Sequence, residues 1–172
     1  MKHFIPLLFL SLSVHAQKVI TDKKDEFTGN IVRETSVEKL AHPVKMSGFA
    51  YNFSAKKVNG HYFLDLRMMS LNKQVFAIRK ESKLMLLLKN DSVITLLASD
   101  FEVSGKGKAG SGLSAQNAEG LRMNYPISEE EIGMILRSDI HKIRVYTSDG
   151  YTEQEIKEAG SEKVKKAFGL LL

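Results

Sequence analysis

Between residues 48 and 98 the chain repeats one short pattern: brief apolar runs, several of them strictly alternating, separated by turn-forming or charged residues. A period of two is the signature of β-strands, and runs this short confine the chain to a sheet of short antiparallel strands. Over 62–68 the alternation puts Tyr62, Leu64, Leu66 and Met68 on one face and Phe63, Asp65 and Arg67 on the other, so one face is expected to be buried. Asn59-Gly60 just before it is a two-residue hairpin signal that pairs this strand with one over 48–55. Strands over 75–78, 84–88 and 93–98 follow, joined by polar connections at 80–83 and 89–92, a spacing that predicts neighbours in one sheet. The runs 84–88 and 93–98 are apolar at nearly every position, which predicts central strands beneath a covering helix.

The flanks add two helices. Residues 17–25 read as a polar, flexible lead-in and 26–35 as a first strand with Gly29-Asn30 as a bulge or turn. From 104 to 120 glycine, serine and alanine dominate, which predicts a long flexible loop, and a strand over 121–127 follows, weakened by Pro126. Ser128 with Glu131 and Thr152 with Glu155 both match a capping box, so helices are expected over 129–138 and 153–169. A strand over 143–147, closed by Asp149-Gly150, lies between them. Strand 121–127, the short helix and strand 143–147 are compatible with a right-handed parallel crossover. Ile156, Val164, Ala167, Phe168 and Leu171 recur at helical spacing and give the last helix an apolar stripe for the sheet. The expected fold class is α+β: a curved antiparallel sheet of seven or eight strands packed by the C-terminal helix and one short helix, in a single domain over 17–172. A small β-barrel with an added helix is the alternative.

Residues 1–16 have a different character. Lys2 and His3 make a short basic start, 4–14 is an apolar run, and Val14-His15-Ala16 approximates the small-x-small pattern that signal peptidases cut. The run is interrupted by Pro6, Ser11 and Ser13 and is about half the roughly twenty residues that crossing a bilayer takes. The expected product is an exported protein beginning at Gln17, periplasmic or extracellular, with no stable membrane span after cleavage. The chain has no cysteine, which excludes a lipid-modified cleavage site, thiol catalysis and thiolate metal binding. Loss of Lys2 with the leader leaves a net charge of about +4. Lysines outnumber arginines nineteen to six, they are scattered, and tryptophan is absent, unlike the clustered basic and aromatic face of a nucleic-acid binder.

Several motifs approach a chemistry without completing it. Gly105-Lys106-Gly107-Lys108-Ala109-Gly110 is a literal G-x-G-x-x-G, but the parallel strand before it and the helix after it that a dinucleotide site needs are missing. Ser111 stands where a phosphate loop requires lysine, and Gln116 breaks the serine-hydrolase elbow after Ser114. Lys106 and Lys108, with the free amides of a glycine-rich loop, remain candidates for holding an anion. His61, Asp65 and Arg67 share one strand face and are the other candidates. His61 and Asp65, four residues apart, are separated by about 13 Å and cannot share a proton, whereas Asp65 and Arg67 suit a surface ion pair on a solvated face. His42 and His141 are isolated in the sequence. Glu129, Glu130 and Glu131 fit the start of a helix better than a metal site, because successive helical residues point apart. Tyr51, Phe53, Tyr62 and Phe63 suit either an aromatic platform or strand packing.

No cofactor is expected, and no catalytic residue is assigned. The expected function is a non-enzymatic binding or accessory module of the periplasm or cell exterior, its partner an envelope protein or an anionic ligand rather than nucleic acid. An envelope hydrolase using carboxylates and a histidine is the enzymatic alternative, and a structural subunit of an envelope assembly is the third. A deep pocket where His61, His141 or Asp65 meets another titratable group would favour the enzyme. A shallow apolar patch or open sheet edge would favour binding, and a large exposed apolar surface would favour the subunit.

Overall fold

The computed structural model describes residues 17–43, 48–110 and 118–172, so the segment 1–16, where a cleavable leader is expected, and positions 111–117 of the glycine-rich segment lie outside the described residues. The longest hairpin joins β4 (Phe49–Val58) to β5 (His61–Ser70), ten residues each, in unbroken register from Phe49 opposite Ser70 to Val58 opposite His61. Asn59 and Gly60 form its turn with φ of 49° and 87°, the left-handed conformations of a type I′ turn. On the far side β5 pairs with β11 (Glu119–Ile127), while β4 pairs with β2 (Ile31–Thr35) and β3 (Glu38–Ala41) at different points along its length. With β1 (Val19–Lys24) and β10 (Gly105–Lys106) these make a seven-stranded antiparallel sheet in the order β1-β2-β4-β5-β11-β10, with β3 off this path against β4.

A second antiparallel sheet contains β7 (Lys83–Leu88), β8 (Val93–Leu97), β12 (Ile140–Thr147) and β13 (Gly150–Glu155) in the order β13-β12-β7-β8. β6 (Ala77–Ile78) and β9 (Glu102–Val103) form a third, two-stranded ladder. Helix α1 (Glu129–Arg137) starts on the expected capping box: the Ser128 hydroxyl accepts from the Glu131 amide, and the Glu131 carboxylate accepts from the Ser128 amide. Helix α2 (Glu158–Gly169) packs against β3, β4 and β12, and α1 packs against α2. The alternating apolar residues of both sheets merge with Val164, Ala167, Phe168 and Leu171 into one core, in which Tyr51, Phe53, Leu64, Leu66, Leu84, Leu86, Met123 and Tyr125 are fully or almost fully buried. The fold class is therefore α+β, and the sheets do not close into a barrel.

The single expected sheet is divided, and four local expectations change with it. Strands 84–88 and 93–98 do not continue the β4–β5 meander: β7 pairs with β12, and β8 is a sheet edge with Val93 and Leu97 about half exposed. The parallel crossover does not form, because β11 and β12 belong to different sheets and every ladder is antiparallel. The lead-in carries β1, hairpinned to β2 through a turn where the Asp25 carboxylate accepts from the Phe27 and Thr28 amides. The capping box at Thr152 is absent: 150–155 is a strand and the helix begins at Glu158. A cap contributes about 1 kcal/mol. Against it stand the ladder from Thr147 opposite Gly150 to Lys142 opposite Glu155, the ion pairs of Glu153 with Arg144 and Lys142, and the Tyr51 hydroxyl donating to Thr152 at 3.0 Å.

Candidate functional site

The outward face of the seven-stranded sheet carries the densest polar chemistry. Along β4, β5 and β11 the core-facing residues alternate with Asn52, Ser54, Asp65, Arg67, Arg122 and Asn124, and the register aligns these in two cross-strand rows, Ser54–Asp65–Asn124 and Asn52–Arg67–Arg122. Asp65 is wholly buried. Arg122 donates to it from β11 and reaches Glu34 on β2 at 2.9 Å, and Ser54 donates to the same Glu34 oxygen at 3.1 Å. The Arg122–Glu34 bridge spans the intervening strands β5 and β4, about 14 Å at the usual strand spacing, and so lies over Asp65. Burial pushes the Asp65 carboxyl above its ordinary value, against the pull of the Arg122 guanidinium. One Asp65 oxygen, Oδ1, has no hydrogen-bond partner among the described residues.

The expected surface pair of Asp65 with Arg67 does not form. Asp65 belongs to Arg122, a residue two strand positions away in no local pattern, because pairing across a sheet is set by register rather than by sequence spacing. Arg67 faces Arg122 directly across the ladder and is left without a carboxylate among the described residues, its Nε buried and unpartnered. It lines a groove of about 320 Å³ together with Asn52 and with Lys39 and His42 from β3 and its continuation. The His42 Nε2 lies 3.1 Å from the Asn52 Oδ1. The floor and walls are otherwise aliphatic, with Ala50, Met69, Leu71 and Val37 on one side and Ala109, Gly110 and Ala118 on the other. No acidic residue lines the groove among those described.

The glycine-rich motif thus supplies a wall. Gly105 and Lys106 form β10 against Gly120 and Glu119, and the following turn brings Ala109 over Gly120 so closely that a Cβ there would sit 2.4 Å from the Ala109 Cβ and 2.6 Å from the Met68 carbonyl oxygen. Lys106 is exposed; Lys108 is exposed too, but its ammonium donates to the Val103 carbonyl at 3.0 Å and lies 3.7 Å from Glu102. The two lysines are therefore not joined on one anion in this arrangement.

The remaining candidates stay apart. His61 opens β5 at an exposed position and borders a wide, open recess with Ser128, Glu129 and Glu131, where the Ser128 hydroxyl and the Glu131 carboxylate are engaged in the helix cap. His42 and His141 lie on other elements, and among the described residues no three histidine, aspartate or glutamate side chains gather as a metal site would require. Tyr51, Phe53 and Tyr62 are core residues, and Phe63 alone of the four aromatics faces outward. Ser54, the buried hydroxyl of the polar rows, donates to the Glu34 carboxylate at 3.1 Å with no histidine between them. Sequence reasoning missed Lys39, Asn52 and Arg122; the alternation of Asn52 and Ser54 with Tyr51 and Phe53, and of Arg122 and Asn124 with Met123 and Tyr125, was the available signal. Compared with models of known families, with curated proteins and with solved structures, the chain matches none.

Proposed function

We propose that this protein is a non-enzymatic binding module that works in the periplasm or outside the cell and holds a small anionic ligand in the groove over β4 and β5. The observation that carries this reading is Arg67: a half-buried guanidinium beside Lys39, His42 and Asn52 that, among the described residues, has no carboxylate partner and lies in a groove with no acid in its lining. An unneutralised arginine in a partly dry site is stabilised by a bidentate anion, and its five donors suit a carboxylate or a phosphate. The leader-like residues 1–16 support the location. NMR titration with butyrate, sulfate and phosphate tests the site. The expected result is a shift of the Arg67 Nε–H and Asn52 side-chain signals that Arg67→Ala weakens at least tenfold in affinity. Absence of binding by all three anions, or binding indifferent to Arg67→Ala, overturns the reading.

A subunit role in an envelope assembly has one observation in its favour. The outer face of the four-stranded sheet exposes Val93 and Leu97 beside half-buried Met85 and Leu87, an apolar strip with a charged rim. Analytical ultracentrifugation decides this second reading: self-association that Leu97→Asp abolishes supports it, and a monomer at high micromolar concentration removes it.

A further inference from the structure

We infer that the ligand of this groove is a single-chain aliphatic carboxylate, its head on Arg67 and its tail along Ala50, Met69 and Leu71; the inference rests on the binding reading above. The groove is polarised along the strands. Lys39, Asn52 and Arg67 occupy one cross-strand row, Lys39 opposite Asn52 and Asn52 opposite Arg67. The next row on the same face is Ala50, Met69 and Gly120, with no polar side chain, and Leu71 lies beyond it. Rows on one face are two residues apart, about 6.6 Å, so a tail of about six to eight carbons that starts at the cationic row passes Met69 and points toward Leu71.

Three features select this chemistry. The head group is anionic, because among the described residues no acid lines the groove beside the cationic row and Arg67 offers a planar pair of donors. The body is aliphatic, because no phenylalanine, tyrosine or tryptophan lines the groove among the described residues, while the unbranched thioether of Met69 adapts to a flexible chain. The site is narrow on its far side, because the absent side chain of Gly120 lets Ala109 close in next to Met69, the nearest side-chain carbon to that position after Ala109 itself. A second anionic group would have no partner along the apolar rows, so a monocarboxylate fits and a dicarboxylate of the same length does not.

Calorimetry of the full mature chain with butyrate, octanoate, suberate and 1-octanol, all below micelle-forming concentrations, tests the inference. Each methylene brought into contact tightens binding about fourfold when fully buried, so octanoate is expected to bind at least tenfold tighter than butyrate. It is also expected to bind at least tenfold tighter than 1-octanol and than suberate, and Arg67→Met is expected to erase the preference over octanol. Met69→Ser is expected to weaken octanoate and leave butyrate nearly unchanged. Octanoate binding no tighter than butyrate, or no tighter than octanol, overturns the inference, and so does octanoate binding that both variants leave intact, which is surface adsorption. If butyrate and phosphate bind through Arg67 without a gain from chain length, the anion reading stands and the aliphatic inference falls; if none of these anions binds, both fall. The comparison among ligands on the unmutated chain holds even where a variant does not fold.

Discussion

On the outer face of the seven-stranded sheet Asp65 is wholly buried beneath the bridge from Arg122 to Glu34, whereas on the outer face of the four-stranded sheet Glu153 meets Arg144 and Lys142 in solvent. Both faces show the same alternation of apolar and polar residues in the sequence. They differ in what crosses them. β5 has a strand paired on each side, and long side chains from β2 and β11 meet above it, so its polar residues are enclosed by charge. β8 is an edge, and its outward residues Val93, Thr95 and Leu97 are exposed, two of the three apolar. A carboxylate removed from water must be matched by a partner, and the nearest guanidinium on the adjacent strand is spent on that match. Arg67, opposite it, is then left over. The proposed binding site rests on this sharing: Arg122 serves both Asp65 and Glu34, and Arg67 on the enclosed face has no carboxylate among the described residues.

Breaking the enclosed charge should have the largest effect. Asp65→Ala leaves Arg122 with Glu34 alone over an emptied position and is expected to lower stability by about 3 kcal/mol, the lower end for a broken buried pair because Arg122 is part-exposed. Urea unfolding measures it, and a loss under about 1 kcal/mol would mean that the two faces are energetically alike. Gly120→Ala is expected to cost about 2 kcal/mol through overpacking against Ala109 and the Met68 carbonyl, and to weaken any ligand in the groove at the same time. An unchanged melting curve would show that the wall beside Met69 yields freely.

The pH dependence sharpens the contrast further. The folded Asp65 carboxyl holds its proton more tightly than the unfolded one, so its contribution favours folding below about pH 4 and diminishes as pH rises from there through the folded pKa. The stability difference between the unmutated chain and Asp65→Asn should therefore decline with rising pH over that interval; an increase would contradict the burial of this carboxylate. Asp139, held down to about 2 by the ammonium groups of Lys165 and Lys89, behaves oppositely: its contribution is complete above about pH 4 and is lost as pH falls toward 2. The smallest effect belongs to the open face. Glu153→Ala should change the melting temperature only slightly, and that change should vanish in 1 M salt, where exposed pairs are screened. A large, salt-resistant loss would place Glu153 in an environment like that of Asp65.

Much of the fold was legible because its determinants are local. The Asn59-Gly60 turn, the alternation over 62–68 and the Ser128–Glu131 cap each act within a few residues, and each appears where the sequence predicts. The Thr152–Glu155 match has the same local chemistry and fails, because a hairpin partner three to thirteen residues upstream offers more hydrogen bonds and two ion pairs. Arg67 was visible as a candidate, but its lack of a partner was not, since that depends on Arg122 reaching Asp65 from 57 residues away.

By itself, then, the amino-acid sequence determined the strand periodicity, the tight turns, one helix cap and the absence of thiol chemistry, all of which depend on residue type and short spacing. The tertiary structure alone decided that the strands divide between two sheets, that Asp65 is buried rather than solvated, and that a basic row and an aliphatic row form one groove. The reason is physical: register across a sheet joins residues far apart in the chain, and burial and charge balance are properties of those neighbours.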